Sequence, residues 1–403
     1  VPTLRTIGQP AAAAAMRAML GGHAPHAVLL TGPASVGKAS LADDLAAGLL
    51  CVGATGVDRP CRECRGCRMV DHGNHPDLHR LEPEGPGGLV GIGGPGRARG
   101  VRDLVGELAL MPVEGGHRVA IIRDAQRMSE DAQSALLKTL EEPPSETMLV
   151  LVADDEERLL PTVRSRCTRV RVGTVGSRDI ELLLEQLGVA DAPTAARLAR
   201  LTGGRPGLAV TYASAPEAIA IRGEIARLLL DLVDQGAAER LRASRDLMTR
   251  GAALAALLAP TRDDGLAGSR RGRRGAPGDA LAEEAGSGDR GPRTPTAEGG
   301  EPDAGSARKA SAADRRRALG LVIDIWLDTA RDLAVAGRGA SGSIRDMAML
   351  EELVAVAPRL APGEIDAALA RLARARELLD ANVSPELVLD VALLRWPRAT
   401  RAA

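Results

Sequence analysis

A chain of 403 residues with 45% hydrophobic content is long enough for roughly two to three domains with real cores. Its formal net charge of −1 excludes a global electrostatic pull toward nucleic acid, so such contacts must come from local basic patches or from partners. Phe is absent and the aromatics are limited to Tyr212, Trp326 and Trp396, which argues against base-stacking platforms, and no apolar run approaches the roughly 20 residues that span a bilayer.

In chain order, residues 1–20 read as a short alanine-rich helix without the basic head and cleavage site of a secretory signal, so a reducing compartment is expected. Residues 27–31 (AVLLT) form an apolar run fit for a buried strand, and Leu41, Leu45 and Leu49 recur at helical spacing. Between them lies TGPASVGKAS, 31–40, a phosphate-binding loop with Gly32, Gly37 and Lys38 in place. In the pattern G-x-x-x-x-G-K-[ST], backbone amides cradle phosphate, the lysine neutralises it and the hydroxyl holds Mg²⁺. Here Ala39 occupies the hydroxyl position and Ser40 comes one residue late, so a nucleotide can dock while its Mg²⁺ has lost a ligand.

Four of the five cysteines follow: Cys51, then Cys61-x-x-Cys64-x-x-Cys67. Close C-x-x-C pairs let thiolates share one tetrahedral ion, and four of them close a structural zinc site with no position open for catalysis. His72 and His75 lie nearby but are surplus to that set, and Cys167 reads as a small buried residue. Residues 84–100 form a Gly/Pro-rich loop. The next strand, RVAIIRDAQRM at 118–128, ends in Arg123-Asp124-Ala125 where a hydrolase would carry paired acids for Mg²⁺ and water. Both halves of a magnesium site are thereby compromised, which points to binding without efficient hydrolysis. Ser129 is placed to cap a helix with Glu130 and Asp131 in its first turn and an apolar face of Ala132, Ala135, Leu136 and Leu140. A strand at 147–152 runs into LVADD, where Asp154 or Asp155 would face phosphate with the wrong charge, and PTVRSRC follows at 161–167.

From 177 onward the pattern is helical: ELLLEQLG and AARLARLTGG first, then amphipathic stretches at 315–337 and 364–379. The mixture of Gly, Ser, Pro, Ala and charge at 261–314, including SRRGRRG at 269–275, has too few large apolar residues to fold and reads as a solvated, disordered tether.

The run ALLKTLEEPP, 135–144, followed about twenty residues later by SRC, 165–167, resembles the clamp-loader branch of the AAA+ proteins of bacterial DNA polymerase III. Gly8 and Gln9, NHPDLHRLEPEG at 74–85, GGRPGL at 203–208 and NVSPELVLDVALLRWP at 382–397 carry the likeness along most of the chain. The resemblance implies an α/β AAA+ P-loop domain at 1–173 with an inserted zinc module at about 51–67, a helical lid at 174–215 and an all-α collar at 216–403. It implies that Arg166, rather than Arg164, acts in trans on the ATP of a neighbouring motor subunit. The phosphate-loop residues with Arg205 of the second sensor would form a nucleotide site that is vestigial in this chain. Structural zinc is the expected cofactor, with ATP and Mg²⁺ as further candidates. The expected partners are gamma or tau and delta subunits in a five-membered ring, with the beta sliding clamp and primed DNA reached through the complex. The expected location is the cytoplasm at the replisome. The chain would be a stator within the DNA-directed DNA polymerase III holoenzyme, itself with weak or no ATPase activity. The alternatives are a gamma/tau motor ATPase and an AAA+ adaptor that binds nucleic acid through its zinc knuckle.

Overall fold

Five short segments become the strands of one parallel sheet in the computed structural model, which describes residues 4–83, 88–114, 116–258, 311–361, 363–381 and 383–399. Helix α1 (Pro10–Ala18) precedes β1 (Ala27–Thr31), and α2 (Lys38–Leu49) and α3 (Arg65–Asp71) precede β2 (Leu78–Leu81). Then come α4 (Val101–Leu108), β3 (Arg118–Ile122), α5 (Glu130–Glu141), β4 (Thr147–Ala153), α6 (Pro161–Arg164) and β5 (Thr168–Arg171). The strand order is β2-β3-β4-β1-β5, with every neighbouring pair parallel. Strands β1, β3 and β4 are buried at every position. Covered on both faces, they read in sequence as continuous apolar runs instead of alternating ones.

Successive side chains of these strands feed two cores, as the period of two requires. Val28, Leu30, Val119, Ile121 and Val150 pack with Met16, Leu41 and Leu45 of α1 and α2. Leu29, Ala120, Ile122, Leu149 and Leu151 pack with Leu104 of α4 and Leu136 of α5. Thr31 lies opposite Ala153, and Ile122 opposite Leu151, so β1, β3 and β4 end close together. The carboxyl ends of parallel strands are where such sheets hold ligands. Ser129 caps α5 as expected, its hydroxyl accepting from the Ala132 amide at 3.2 Å.

Beyond Arg171 every helix and strand among the described residues is helical: α7 (Ser177–Leu187), α8 (Ala192–Leu201), α9 (Pro206–Ser214), α10 (Pro216–Asp231), α11 (Ala237–Leu257), α12 (Ala312–Gly337), α13 (Leu350–Val356), α14 (Glu364–Asp380) and α15 (Pro385–Leu394). One apolar cluster runs through them, and it takes in Tyr212, Trp326 and Trp396, so all three aromatics serve the core. Arg240 of α11 is fully buried there and donates to the carbonyls of Leu232, Gln235, Leu393, Trp396 and Pro397.

Most of the predicted tether, including 269–275, lies outside the described residues, as does Asn382 at the head of the last predicted helix. Of the tether's final four residues, Ser311 caps α12 and 312–314 form its first turn. Ser311 Oγ accepts from the Asp314 amide at 3.1 Å while Asp314 accepts from the Ser311 amide at 3.1 Å. This reciprocal cap starts the helix three residues before the predicted Arg315. Of the predicted loop at 84–100, residues 84–87 lie outside the described set. Val90 of the remainder makes an isolated parallel bridge with Met128.

Candidate functional site

The phosphate loop bends where its glycines allow. Gly32 has φ 147° and a Cβ there would lie 2.0 Å from the Val172 carbonyl oxygen; Gly37, at φ 103°, precedes α2. No side chain caps that end of α2, which leaves its first amides available to an anion. Lys38 is nonetheless engaged by its own chain. Its Nζ, 5% exposed, donates to Gly32 O at 2.7 Å and Pro33 O at 2.5 Å and pairs with Asp154 Oδ1 at 2.7 Å. Those three partners use all three donors of an ammonium. Ser40 is exposed on α2 one position beyond the half-buried Ala39.

Of the two aspartates after β4, Asp154 faces the loop. Asp155 is used locally, its Oδ1 accepting from the Glu157 amide at 3.0 Å. Asp124 stands in left-handed backbone at φ 49°. Burial, reinforced by the charge of Asp154, pushes its carboxyl above the usual range, while Gln126, Arg127 and Lys38 act in the opposite direction. Arg123 engages Glu82 at 2.9 Å and Asp43 of α2 at 3.1 Å, so its charge is balanced by two carboxylates. Gln9 is buried against the same region and donates to Gly173 O at 2.6 Å and Val36 O at 3.4 Å.

Gly32, Gly37 and Lys38 therefore converge, whereas Arg205 does not join them. It stands at the start of α9, and its guanidinium donates to Asp328 of α12 at 2.8 Å and to Thr202 O. What α9 brings to the loop is backbone: the Gly207 amide donates to Ser35 O at 3.0 Å. The Asp328 partnership carried no sequence signal, since the two residues lie on separate helices 123 positions apart.

The four cysteines do converge. Cys51 follows α2, Cys64 caps α3 and Cys67 lies within α3, and their sulfurs and that of Cys61 all lie within 4.8 Å of one another. The Cys51–Cys61 and Cys51–Cys64 separations are 3.6 and 3.9 Å. A tetrahedral ion with bonds of about 2.3 Å sets sulfurs about 3.8 Å apart, so the donor set fits zinc. A disulfide would need about 2.05 Å. Amides of Cys64 and Cys67 donate to the sulfurs of Cys61 and Cys64, both at 3.4 Å, as suits thiolates. Burial works against a charged Cys64, yet the amides of Cys67 and Val52 with the neighbouring thiols bring its pKa down to about 6. Burial pushes Cys67 up, so the ion would have to displace that proton.

Neither histidine belongs to the cluster. His72 Nδ1 contacts Arg68 O at 2.6 Å, and the buried His75 accepts from the Asp77 amide at 3.1 Å. Cys167 is half-buried, and burial pushes its thiol up to about 11. Such a thiol is a poor nucleophile.

The two halves of the SRC signature touch. Arg166 pairs with Glu141, at the end of α5, at 2.6 Å and donates to Thr162 O at 2.9 Å, with 35% of its side chain exposed. Arg164 is 15% exposed and pairs with Glu157 at 2.6 Å. The more accessible guanidinium is thus Arg166.

Residues 8–175 match the family described as DNA polymerase III, delta subunit. The chain is 39% identical over 195 residues to DNA polymerase III subunit delta' of Pseudomonas aeruginosa, covering 48% of this chain and 57% of that one. Subunit delta' of Escherichia coli is 36% identical over 146 residues, covering 36% and 42%. Over this part of its length the chain is similar to delta-prime subunits.

The family-model match at 8–175 takes in the whole sheet, the phosphate loop, the four cysteines and Arg166. The chain spans about half the length of these delta-prime relatives. DNA polymerase III subunit tau of Salmonella typhimurium is 31% identical over 182 residues, covering 44% of this chain and 27% of tau, a weaker likeness than delta-prime. A gamma subunit-related protein from Thermotoga maritima superimposes over 94% of this chain and 97% of its own at 16% identity, with a TM-score of 0.41.

Proposed function

We propose that this chain is the stator of a DNA polymerase III clamp loader, a subunit that organises and regulates ATP hydrolysis performed by its neighbours. The observation that carries the reading is Lys38, held by Asp154 in a chain whose sheet domain is delta-prime-like. A motor needs that lysine for phosphate and paired acids for Mg²⁺; here the lysine is engaged and the strand ends in Arg123 and Asp124. Residues 1–173 act as the nucleotide-domain-like body, 174–215 as the lid and 216–403 as the collar through which gamma or tau and delta subunits assemble. Arg166 supplies a guanidinium to the ATP of an adjacent motor, where it stabilises transition-state charge. Cys51, Cys61, Cys64 and Cys67 hold a structural zinc. The beta clamp and primed DNA are reached through the assembled complex, in the cytoplasm. Among the described residues no helix is long and apolar enough to cross a membrane.

The test is an ATPase assay of the purified chain beside co-purification with gamma or tau and delta. The stator reading expects turnover near background and a stable complex. Robust turnover abolished by Lys38→Ala would instead select the motor reading, which draws support from the uncapped start of α2 and the tau likeness.

A further inference from the structure

One buried carboxylate joins the cysteine cluster to the phosphate loop. Arg62 lies between Cys61 and Cys64 in left-handed backbone, φ 63°, and its two ends serve different neighbours. Its backbone amide supports the Cys67 sulfur. Its guanidinium, 10% exposed, pairs with Asp44 of α2 and with Asp71 at 2.6 Å.

Asp44 is fully buried, and the rest of its hydrogen bonds come from the N-terminal segment. It accepts from the Arg5 amide at 3.1 Å, the Thr6 amide at 2.9 Å and Thr6 Oγ1 at 2.7 Å. Arg5 completes the network by pairing with Asp71 at 2.9 Å. Three residues beyond Thr6, Gln9 reaches Val36 inside the phosphate loop. Gly8 makes the intervening bend at φ 61°, where a Cβ would lie 2.3 Å from Val175.

A buried carboxylate is tolerated only when charge and hydrogen bonds compensate it. Arg62 supplies the charge, and the position of Arg62 is set by the loop that Cys61 and Cys64 close around an ion. Without the ion those thiols have no common ligand, the arginine loses its mooring, and Asp44 loses the charge that lets it anchor Arg5 and Thr6.

We propose that metal occupancy of the four-cysteine site sets the order of the N-terminal segment 4–9, through Arg62 and Asp44, and so shapes one wall of the phosphate-loop pocket. This coupling rests on the zinc reading given above. Arg62 is a positioning residue in it.

Amide hydrogen exchange on the full chain, with zinc content measured by native mass spectrometry, tests the coupling. Removing zinc with a chelator is expected to speed exchange at Arg5 and Thr6 by about tenfold or more while β1 and β4 amides stay protected, and re-adding zinc restores the slow rate. Arg62→Ala is expected to speed the same amides with zinc still bound, and Arg62→Lys to recover part of the protection. Unchanged exchange at Arg5 and Thr6 after verified zinc loss overturns the coupling and leaves the metal site standing. A chain that takes up no zinc overturns both, and the mass measurement tells the two failures apart.

Discussion

Lys38 Nζ and Asp154 Oδ1 form an ion pair of 2.7 Å across the mouth of the phosphate loop, so the lysine of that loop already has an anion. Asp154 is 41% exposed, and a pair of that kind contributes at most about 1 kcal/mol. Asp154→Asn is therefore expected to tighten nucleotide binding roughly two- to fivefold, read by fluorescent ATP titration. Lys38→Ala should weaken it in both backgrounds. No change in affinity on Asp154→Asn would mean that the pair does not compete with phosphate.

Substitutions of Arg166 and Arg164 should have different effects in a reconstituted loader. Arginines supplied in trans raise phosphoryl-transfer rates by about 10³–10⁵, so Arg166→Ala should lower ATPase and clamp loading by at least about tenfold. Its pair with Glu141 is partly exposed, so the melting temperature should barely move. Arg164→Ala should leave the ATPase rate intact. Equal rates for wild type and Arg166→Ala would remove Arg166 from the proposed role.

The cysteine cluster predicts one zinc per chain by elemental analysis. Cys64→Ser should abolish stoichiometric zinc and lower the melting temperature by about 5 °C or more, because structural zinc contributes folding free energy directly. Retention of a full equivalent of zinc in Cys64→Ser would exclude the four-thiolate assignment.

Asp124 has a folded-state pKa raised by burial and by the charge of Asp154. The folded state then holds more protons than the unfolded one between the unfolded pKa, near 3.8, and the raised value, so stability falls as pH rises through that window. Asp124→Asn removes the penalty and suits left-handed backbone at φ 49°. The variant should melt higher than wild type at pH 7, with the gap closing below about pH 4. A gap independent of pH would show that ionisation of Asp124 is not its source.

Arg240 gathers five carbonyls from the α10–α11 turn and the end of α15. Arg240→Ala orphans them in a dry core and is expected to destabilise the helical region by about 3 kcal/mol or more in urea unfolding. A loss below about 1 kcal/mol would mean that water replaces the guanidinium.

Much of the site was legible because its signals are local. Periodicity marked β1, β3, β4 and α5 since strands buried on both faces admit little but apolar residues, and the Cys-x-x-Cys spacing alone brings Cys61, Cys64 and Cys67 within reach of one ion. Gly32, Gly37 and Lys38 form a loop of consecutive residues, so their convergence needs no tertiary information. The start of α12 was misplaced because Ser311 and Asp314 sit at the end of a polar stretch, where a two-residue cap is outweighed by composition.

By itself, then, the sequence determined that this chain carries a phosphate loop lacking its hydroxyl, a four-thiolate set and an SRC signature tied to LLKTLEEPP. Only the tertiary structure decided who neutralises whom: Asp154 takes Lys38, Asp328 takes Arg205, Glu141 takes Arg166, and Asp44 binds Arg62 to Arg5 and Thr6. Charged side chains are long and follow no helical or strand period, so their partners are fixed by how separate elements pack and by which carboxylates that packing buries.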